Sequence, residues 1–270
     1  MKKIFMAILL SLILCPLSFA VTGCGGEQGN DTKDNAEKII IGIDEHYAPM
    51  GFRNEKNELV GFDIDLAKET AKRMGVEVEF KPIDWNKKEE ELKVGNIDII
   101  WNGLDITPER KENILYSKPY MDNRQILLVK RGNVLGIHAE SDLAGKVVGT
   151  QAGSNSETYV NQNENLKNGF AAFKTYDNYR NAFKDLDDGV VDVLICDEIA
   201  GRYEMSLVPQ KFDPIEVTIG PATEIGIGFR KDDTELRDKV QMAFDDMIKD
   251  GTTRKISEEW FQADLIKSKR

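Results

Sequence analysis

The residues with most chemistry to offer lie in one stretch, residues 97–110, IDIIWNGLDITPER. Asp105 brings a carboxylate, and Arg110 brings a guanidinium a short way on. A planar guanidinium suits a carboxylate held by two parallel hydrogen bonds. The plainer alternative makes Asp105 a turn former and Arg110 a surface helix residue, and spacing alone leaves both open. The elements that must position these groups read clearly. Residues 97–101 are an apolar run that suits a buried strand. Asn102-Gly103 breaks it. Thr107-Pro108-Glu109 then has the form of a helix start, with Thr as cap and Pro at the first helical position. A strand therefore runs into a loop, and the loop into a helix carrying Arg110. In open α/β sheets ligands sit outside the carboxyl ends of strands, which is where loop amides, Asp105 and Arg110 would converge.

Other loops occupy comparable places. Residues 39–43 read as an apolar strand, followed by the loop 44–47, with Asp44 and Tyr47. The strand 147–150 leads into 151–155, where Ser154 and Glu157 form a capping box that starts a helix. The run 190–195 reads as a buried strand that delivers Asp197 to its carboxyl end. Together these supply a cation, anionic groups and amide-rich helix N-termini, a set suited to a small ligand. Between them, Gly61-Phe62-Asp63 starts a helix with Asp63 as its cap, and Gly75 closes it. The spacing predicts strands over 76–80, 125–130, 172–176, 215–219 and 225–229. It predicts helices over 86–94, 178–188, 234–249 and 256–261. Residues 87–91 read as a solvated helix face. The strand–helix rhythm gives an α/β class with mostly parallel sheets.

The chain has 270 residues and a net charge of −11. Lys2 and Lys3 precede an apolar run, residues 4–20, with the form of a secretory signal. Residues 21–24, Val-Thr-Gly-Cys, resemble the bacterial lipobox, which implies cleavage before Cys24 and diacylglycerol on its thiol. Residues 24–36 read as the lipidated Cys and a flexible tether. Removal of 1–23 takes away two lysines and no acid, so the remainder is more negative still. Such a chain has no basic stripe for phosphates, which argues against nucleic acid as a partner. Cys15 leaves with the signal and Cys24 carries lipid, so Cys196 stands alone as a buried thiol.

No phosphate loop, HExxH, CxxC pair or GxSxG elbow is present. His46 and His138 sit in no nucleophile arrangement. An enzyme therefore finds no positive support, and no cofactor or metal is implied.

The segments IGIDEHYAPM, LVGFDIDLAKETAKRMGVEVEF, GNIDIIWNGLDITPER, LAGKVVGTQAGSNSE, VVDVLICDE, GFRKDDTEL and DGTTRKISEEWF follow one another over residues 37–265. In order and spacing they resemble the extracellular solute-binding proteins, family 3, of ATP-driven polar amino-acid importers. The resemblance implies a two-lobed, type II periplasmic-binding-protein-like fold. Lobe 1 would comprise 37–121 plus 222–270, and lobe 2 would comprise 125–220, with hinges near 122–125 and 220–224. It also implies roles. Arg110 would pair with a ligand α-carboxylate, aided by the amides of Asp105 and Asn155. Asp197, the Gly103 carbonyl and the Asp105 side chain would bind the α-ammonium. Trp85 and Tyr47 would sandwich the ligand side chain, Asp44 and Gln151 would line its far end, and Leu104 and Gly153 would complete the site. A zwitterion needs such a cation and anions at fixed separation.

By the same resemblance the partners are a polar L-amino acid, ABC permease subunits and the membrane through the lipid anchor. The protein would be a monomer on the extracytoplasmic face, more in keeping with a Gram-positive surface than a periplasm. Two departures stand out: Asp105 where relatives commonly carry Ser or Thr, and Met50 where Phe is common. The ligand is left open among basic amino acids, glutamine, cystine and other polar ones, with the acids at 44, 45 and 105 favouring a basic or neutral side chain. The alternative is a cyclohexadienyl-dehydratase-like enzyme on the same fold, for which Glu45 is the nearest spare acid.

Overall fold

The computed structural model describes residues 38–267. The signal segment, Cys24 and the tether lie outside the described residues. The first sheet orders its strands Glu77–Pro82, Lys38–Ile43, Ile99–Ile100, Gly228–Arg230 and Ile114–Tyr116. The first three are parallel, and Gly228–Arg230 runs antiparallel to both its neighbours. The second sheet is ordered Ala172–Tyr176, Val147–Gln151, Val193–Asp197, Met121–Lys130 and Phe212–Ile225. Its first three strands are parallel and its last two antiparallel. A small antiparallel sheet, His46–Tyr47, Gly51–Arg53 and Leu59–Val60, lies beside the first loop.

The protein is thus a two-lobed α/β molecule whose lobes are joined by two strands. Met121–Lys130 and Phe212–Ile225 pair antiparallel where the chain crosses, with Asn123 opposite Thr223 and Met121 opposite Ile225. The register shifts at Ile215/Ile219 and at Ile219/Thr223.

The strand KIIIGI is apolar nearly throughout because both sheet faces are covered, as parallel sheets require. Helix Phe62–Met74 turns Ile64, Ala67 and Ala71 inward and ends at Gly75, whose positive φ lets its N–H reach back to the last carbonyls. Helix Tyr179–Asp188 starts at Asn178, whose side chain accepts from Asn181 N at 3.0 Å. One core gathers Ile41, Ile64, Trp101, Phe229 and Phe244. Another packs Leu127, Val148, Val160 and Ile195 between the second sheet and helix Asn155–Gln162. Among the described residues no helix is long and apolar enough to cross a membrane. Cys196 is buried and unpaired.

The expected strand over 97–101 forms ladder bonds only at Ile99–Ile100, although Ile97 and Trp101 are also buried. The strands expected over 215–219 and 225–229 are instead one long strand, Phe212–Ile225, and a short one, Gly228–Arg230. The helix expected over 86–94 opens as a tight turn, Trp85–Lys87, before Lys88–Lys93.

Candidate functional site

Two loops of the first lobe are tied to each other before they meet the second. Asn102 is buried, and its Oδ1 accepts from Asp44 N at 2.7 Å, so the loop after Lys38–Ile43 rests on the loop after Ile99–Ile100. Gly103 has φ 62°, and a Cβ there would lie 2.4 Å from the Tyr47 ring. Only glycine permits this conformation and this approach. Gly103 N donates to Asp63 Oδ2 at 2.7 Å, and Tyr120 Oη donates to Asp63 Oδ1 at 2.8 Å. Asp63 is therefore not the helix cap expected of it; Gly61 holds that position, and the Asp63 side chain anchors the Gly103 loop from beneath. Burial pushes its carboxyl up to about 7, against the hydrogen bonds it accepts.

Arg110 stands in the first turn of Pro108–Asn113, where Thr107 Oγ1 accepts from its N–H at 3.3 Å. It is buried, and Nη1 donates to Asp105 O at 3.1 Å. The Asp105 side chain turns toward the crossing strands. Its Oδ1 accepts from Asn123 Nδ2 at 2.9 Å and from Thr223 Oγ1 at 2.6 Å. Burial, then the neighbouring Asp197 carboxylate, raises its carboxyl to about 6.

In the second lobe, Ser154 caps helix Asn155–Gln162 by accepting from Glu157 N at 3.1 Å, and Glu157 Oε2 accepts from Gly153 N at 2.6 Å. Asp197 ends its strand and is fully engaged. Oδ1 accepts from Asn123 Nδ2 and Gln125 Nε2, each at 2.6 Å, and Oδ2 accepts from Tyr47 Oη at 2.7 Å. Gln125 Oε1 in turn accepts from Ser156 Oγ.

The lobes meet through these groups. Tyr47 reaches Asp197, and Gln151 Nε2 donates to Asp44 Oδ2 at 2.6 Å. Burial raises the Asp44 carboxyl, and the hydrogen bonds from His46 N and Gln151 oppose it. The cavity between the lobes is lined by Tyr47, Trp85, Gly103, Asp105, Arg110, Gln151, Ser154, Asn155 and Asp197. Only about 10 Å³ of room is left among them, so the groups of the two lobes lie nearly in contact. That is room for about one water molecule, against roughly 300–1,000 Å³ for small-molecule sites.

Some expected residues stand elsewhere. Leu104 does not line the cavity. Its side chain is fully buried in a core with Leu92, Ile100 and Ile114, and its carbonyl accepts from Gly226 N at 3.0 Å. Asp44 stands one step back, behind Gln151. Gly153 contributes its carbonyl, which accepts from Arg110 Nη2 at 3.0 Å. Glu45, the acid nearest to hand for an enzyme, pairs with Arg53 at 2.5 Å instead of joining the cavity.

Other participants escaped the sequence reading. Asn123 and Gln125 alternate in an apolar strand, a period that puts both on one face, and that polar pair was their signal. Lys88 is the larger correction. Residues 87–91 are not uniformly a solvated face, because Lys88 is 3% exposed. It lies one turn from buried Leu92, and that spacing was its only sign.

The sequence pattern of the bacterial extracellular solute-binding proteins, family 3, matches residues 39–263. The chain belongs to this family. Among family relatives, the L-cystine-binding protein of Escherichia coli strain K12 is 34% identical over 232 residues, covering 85% of this chain and 84% of that protein. The arginine-binding extracellular protein of Bacillus subtilis strain 168 is 33% identical over 260 residues, covering 94% and 97%. A solved structure of an ABC uptake transporter substrate-binding protein from Streptococcus pneumoniae with bound histidine superposes with a TM-score of 0.80 at 36% identity. It covers 85% of this chain and 94% of that one.

Proposed function

We propose that this protein is an extracytoplasmic receptor that binds a polar L-amino acid between its lobes and delivers it to an ABC permease. The observation that carries this reading is the charge layout of one small cavity. Arg110 and Asn155, at the N-terminus of helix Asn155–Gln162, line it together with Asp197 and Asp105. An α-carboxylate takes the guanidinium and the helix amides. The α-ammonium takes Asp197, the Gly103 carbonyl and the free oxygen of Asp105. Trp85 and Tyr47 flank the ligand side chain, and Gln151 with Asp44 behind it meets its end. That last pair is an acceptor and a carboxylate, which favours a basic or neutral polar side chain over an acidic one. The protein acts as a binder and carrier, with no bond made or broken.

Residues 21–24 support a lipid anchor on Cys24 that holds a monomeric receptor at the outer face of the membrane. Cys24→Ala should release it from the membrane fraction, and continued retention would count against the anchor.

Thermal melts of refolded protein against the common amino acids, cystine and ornithine test the receptor reading. A ligand present at a hundred times its Kd adds about 2.7 kcal/mol of stability. One or a few amino acids should raise Tm clearly. A flat response across the whole set would overturn the assignment.

A further inference from the structure

Lys88 is a buried cation that the layout above does not use. It opens helix Lys88–Lys93 in the first lobe. Its Nζ lies 5.2 Å from the centre of the Trp85 ring, within cation–π range. Nζ donates to Trp85 O at 3.2 Å in its own lobe and to Gly153 O at 2.8 Å in the other. Arg110 Nη2 reaches that same Gly153 carbonyl at 3.0 Å. Two cations of one lobe thus converge on a single carbonyl of the second.

The Gly153 turn is shaped for that contact. Its φ is 70°, and a Cβ would lie 2.7 Å from Asn86 Cα and 3.1 Å from Trp85 O. Backbone therefore meets backbone across the cleft, with no side chain between. The turn sits between Gln151 and Asn155, both on the cavity, so whatever holds Gly153 holds the second lobe's share of the site.

We propose that Lys88 is a positioning residue for lobe closure: its ammonium latches the Gly153 turn onto the first lobe and sets how long a bound amino acid stays. The inference rests on the receptor reading above. Among the described residues Lys88 has no carboxylate within salt-bridge distance, so its charge is satisfied by two carbonyls and an aromatic face. A buried cation so held is expensive. Burial drives its ammonium pKa well down, and Arg110 pushes the same way. A ligand carboxylate against Arg110 offsets the repulsion between the two cations. The latch therefore holds while a carboxylate-bearing ligand is in place and weakens as it leaves. In separated lobes the Lys88 head group keeps Trp85 O and the Trp85 ring and exchanges Gly153 O for water, so its loss leaves each lobe's core untouched.

The test uses Lys88→Met, which keeps the stem and drops the ammonium, and Lys88→Arg, which keeps a cation. Ligand dissociation is followed by stopped-flow fluorescence, with an amino acid that stabilises the wild type. Lobe separation is measured between spin labels on two exposed residues, one per lobe, Lys56→Cys and Asn181→Cys. Lys88→Met should release ligand about tenfold faster or more, with little change in association. Its ligand-free Tm should match the wild type, and Lys88→Arg should recover much of the slow release. A wild-type dissociation rate in Lys88→Met, with unchanged label distances, would overturn the latch. Failure of the receptor reading shows separately, as a wild type that binds no amino acid. In that event the label distances alone decide, and equal closed fractions in wild type and Lys88→Met would overturn the proposal.

Discussion

Asp105 and Asp197 face each other from opposite lobes and share one donor, Asn123 Nδ2, at 2.9 and 2.6 Å. Asn123 lies on a crossing strand, opposite Thr223 on the other, and Thr223 also donates to Asp105. The acids of the cleft are therefore wired into the two strands that cross between the lobes. The Asp197 carboxylate adds to the cost of ionising the buried Asp105, and on the receptor reading a ligand ammonium between them offsets that cost. On the receptor reading proposed above, binding and closure are coupled through the same four side chains.

Asp197→Asn keeps the shape of this arrangement and removes one charge. The ammonium then loses its second-lobe counter-charge, at a cost on the order of 2–5 kcal/mol, or roughly thirty- to a few thousand-fold in affinity. Calorimetric titration measures it, with Tm as a check on folding. An unchanged Kd would remove Asp197 from the ammonium's seat.

Arg110→Ala should be as severe, since it leaves a buried ligand carboxylate unpaired, again on the order of 2–5 kcal/mol. Arg110→Lys separates charge from geometry. It keeps the charge but loses the fork that reaches Asp105 O and Gly153 O together. It should bind more weakly than wild type and more tightly than Arg110→Ala. Equal affinities for the two variants would mean that the guanidinium geometry carries all of the interaction.

What the sequence made legible was local. Thr107 and Pro108 start the helix that carries Arg110, because capping needs only neighbours. Asp197 ends a strand, and strand ends follow from an apolar run. What escaped depends on distant partners. Asp63 looks like a cap until Gly103 and Tyr120 are brought beside it. Lys88 looks solvated until the second lobe supplies Gly153. The expected break between 219 and 225 is absent for a related reason. Phe212–Ile225 is the edge strand of its sheet, with only its end bridged to Asp105 on the far side, and an edge tolerates Pro214 and Pro221.

The Asp63 carboxyl sets a pH signature. Its folded value is about 7 and its ordinary value 3.8, so between these limits the folded state binds the extra proton. Stability from this group is complete below pH 3.8 and is lost as pH rises toward 7. The loss is on the order of 4 kcal/mol at most. Asp63→Asn has no group there to titrate. Relative to wild type it should gain stability as pH is raised across that range, read from denaturant melts at several pH values. Parallel pH profiles for the two proteins would show that Asp63 ionises in the fold as it does in water.

Gly153 and Gly75 form a matched pair for the last prediction. Both have φ 70°, so an alanine at either pays a similar backbone penalty, about 1–2 kcal/mol. A Cβ at Gly75 meets nothing within 4 Å, whereas one at Gly153 comes 2.7 Å from Asn86 Cα in the other lobe. Gly75→Ala should therefore lower Tm and leave affinity alone. Gly153→Ala should lower Tm by no more than that, yet weaken ligand binding, because the lobes can no longer meet at this point. Measuring Tm without ligand and Kd with ligand for both variants separates backbone strain from blocked closure. If Gly153→Ala binds like wild type, the cleft closes without the Gly153 turn touching the first lobe, and the contacts of Arg110 and Lys88 with that carbonyl are incidental to binding.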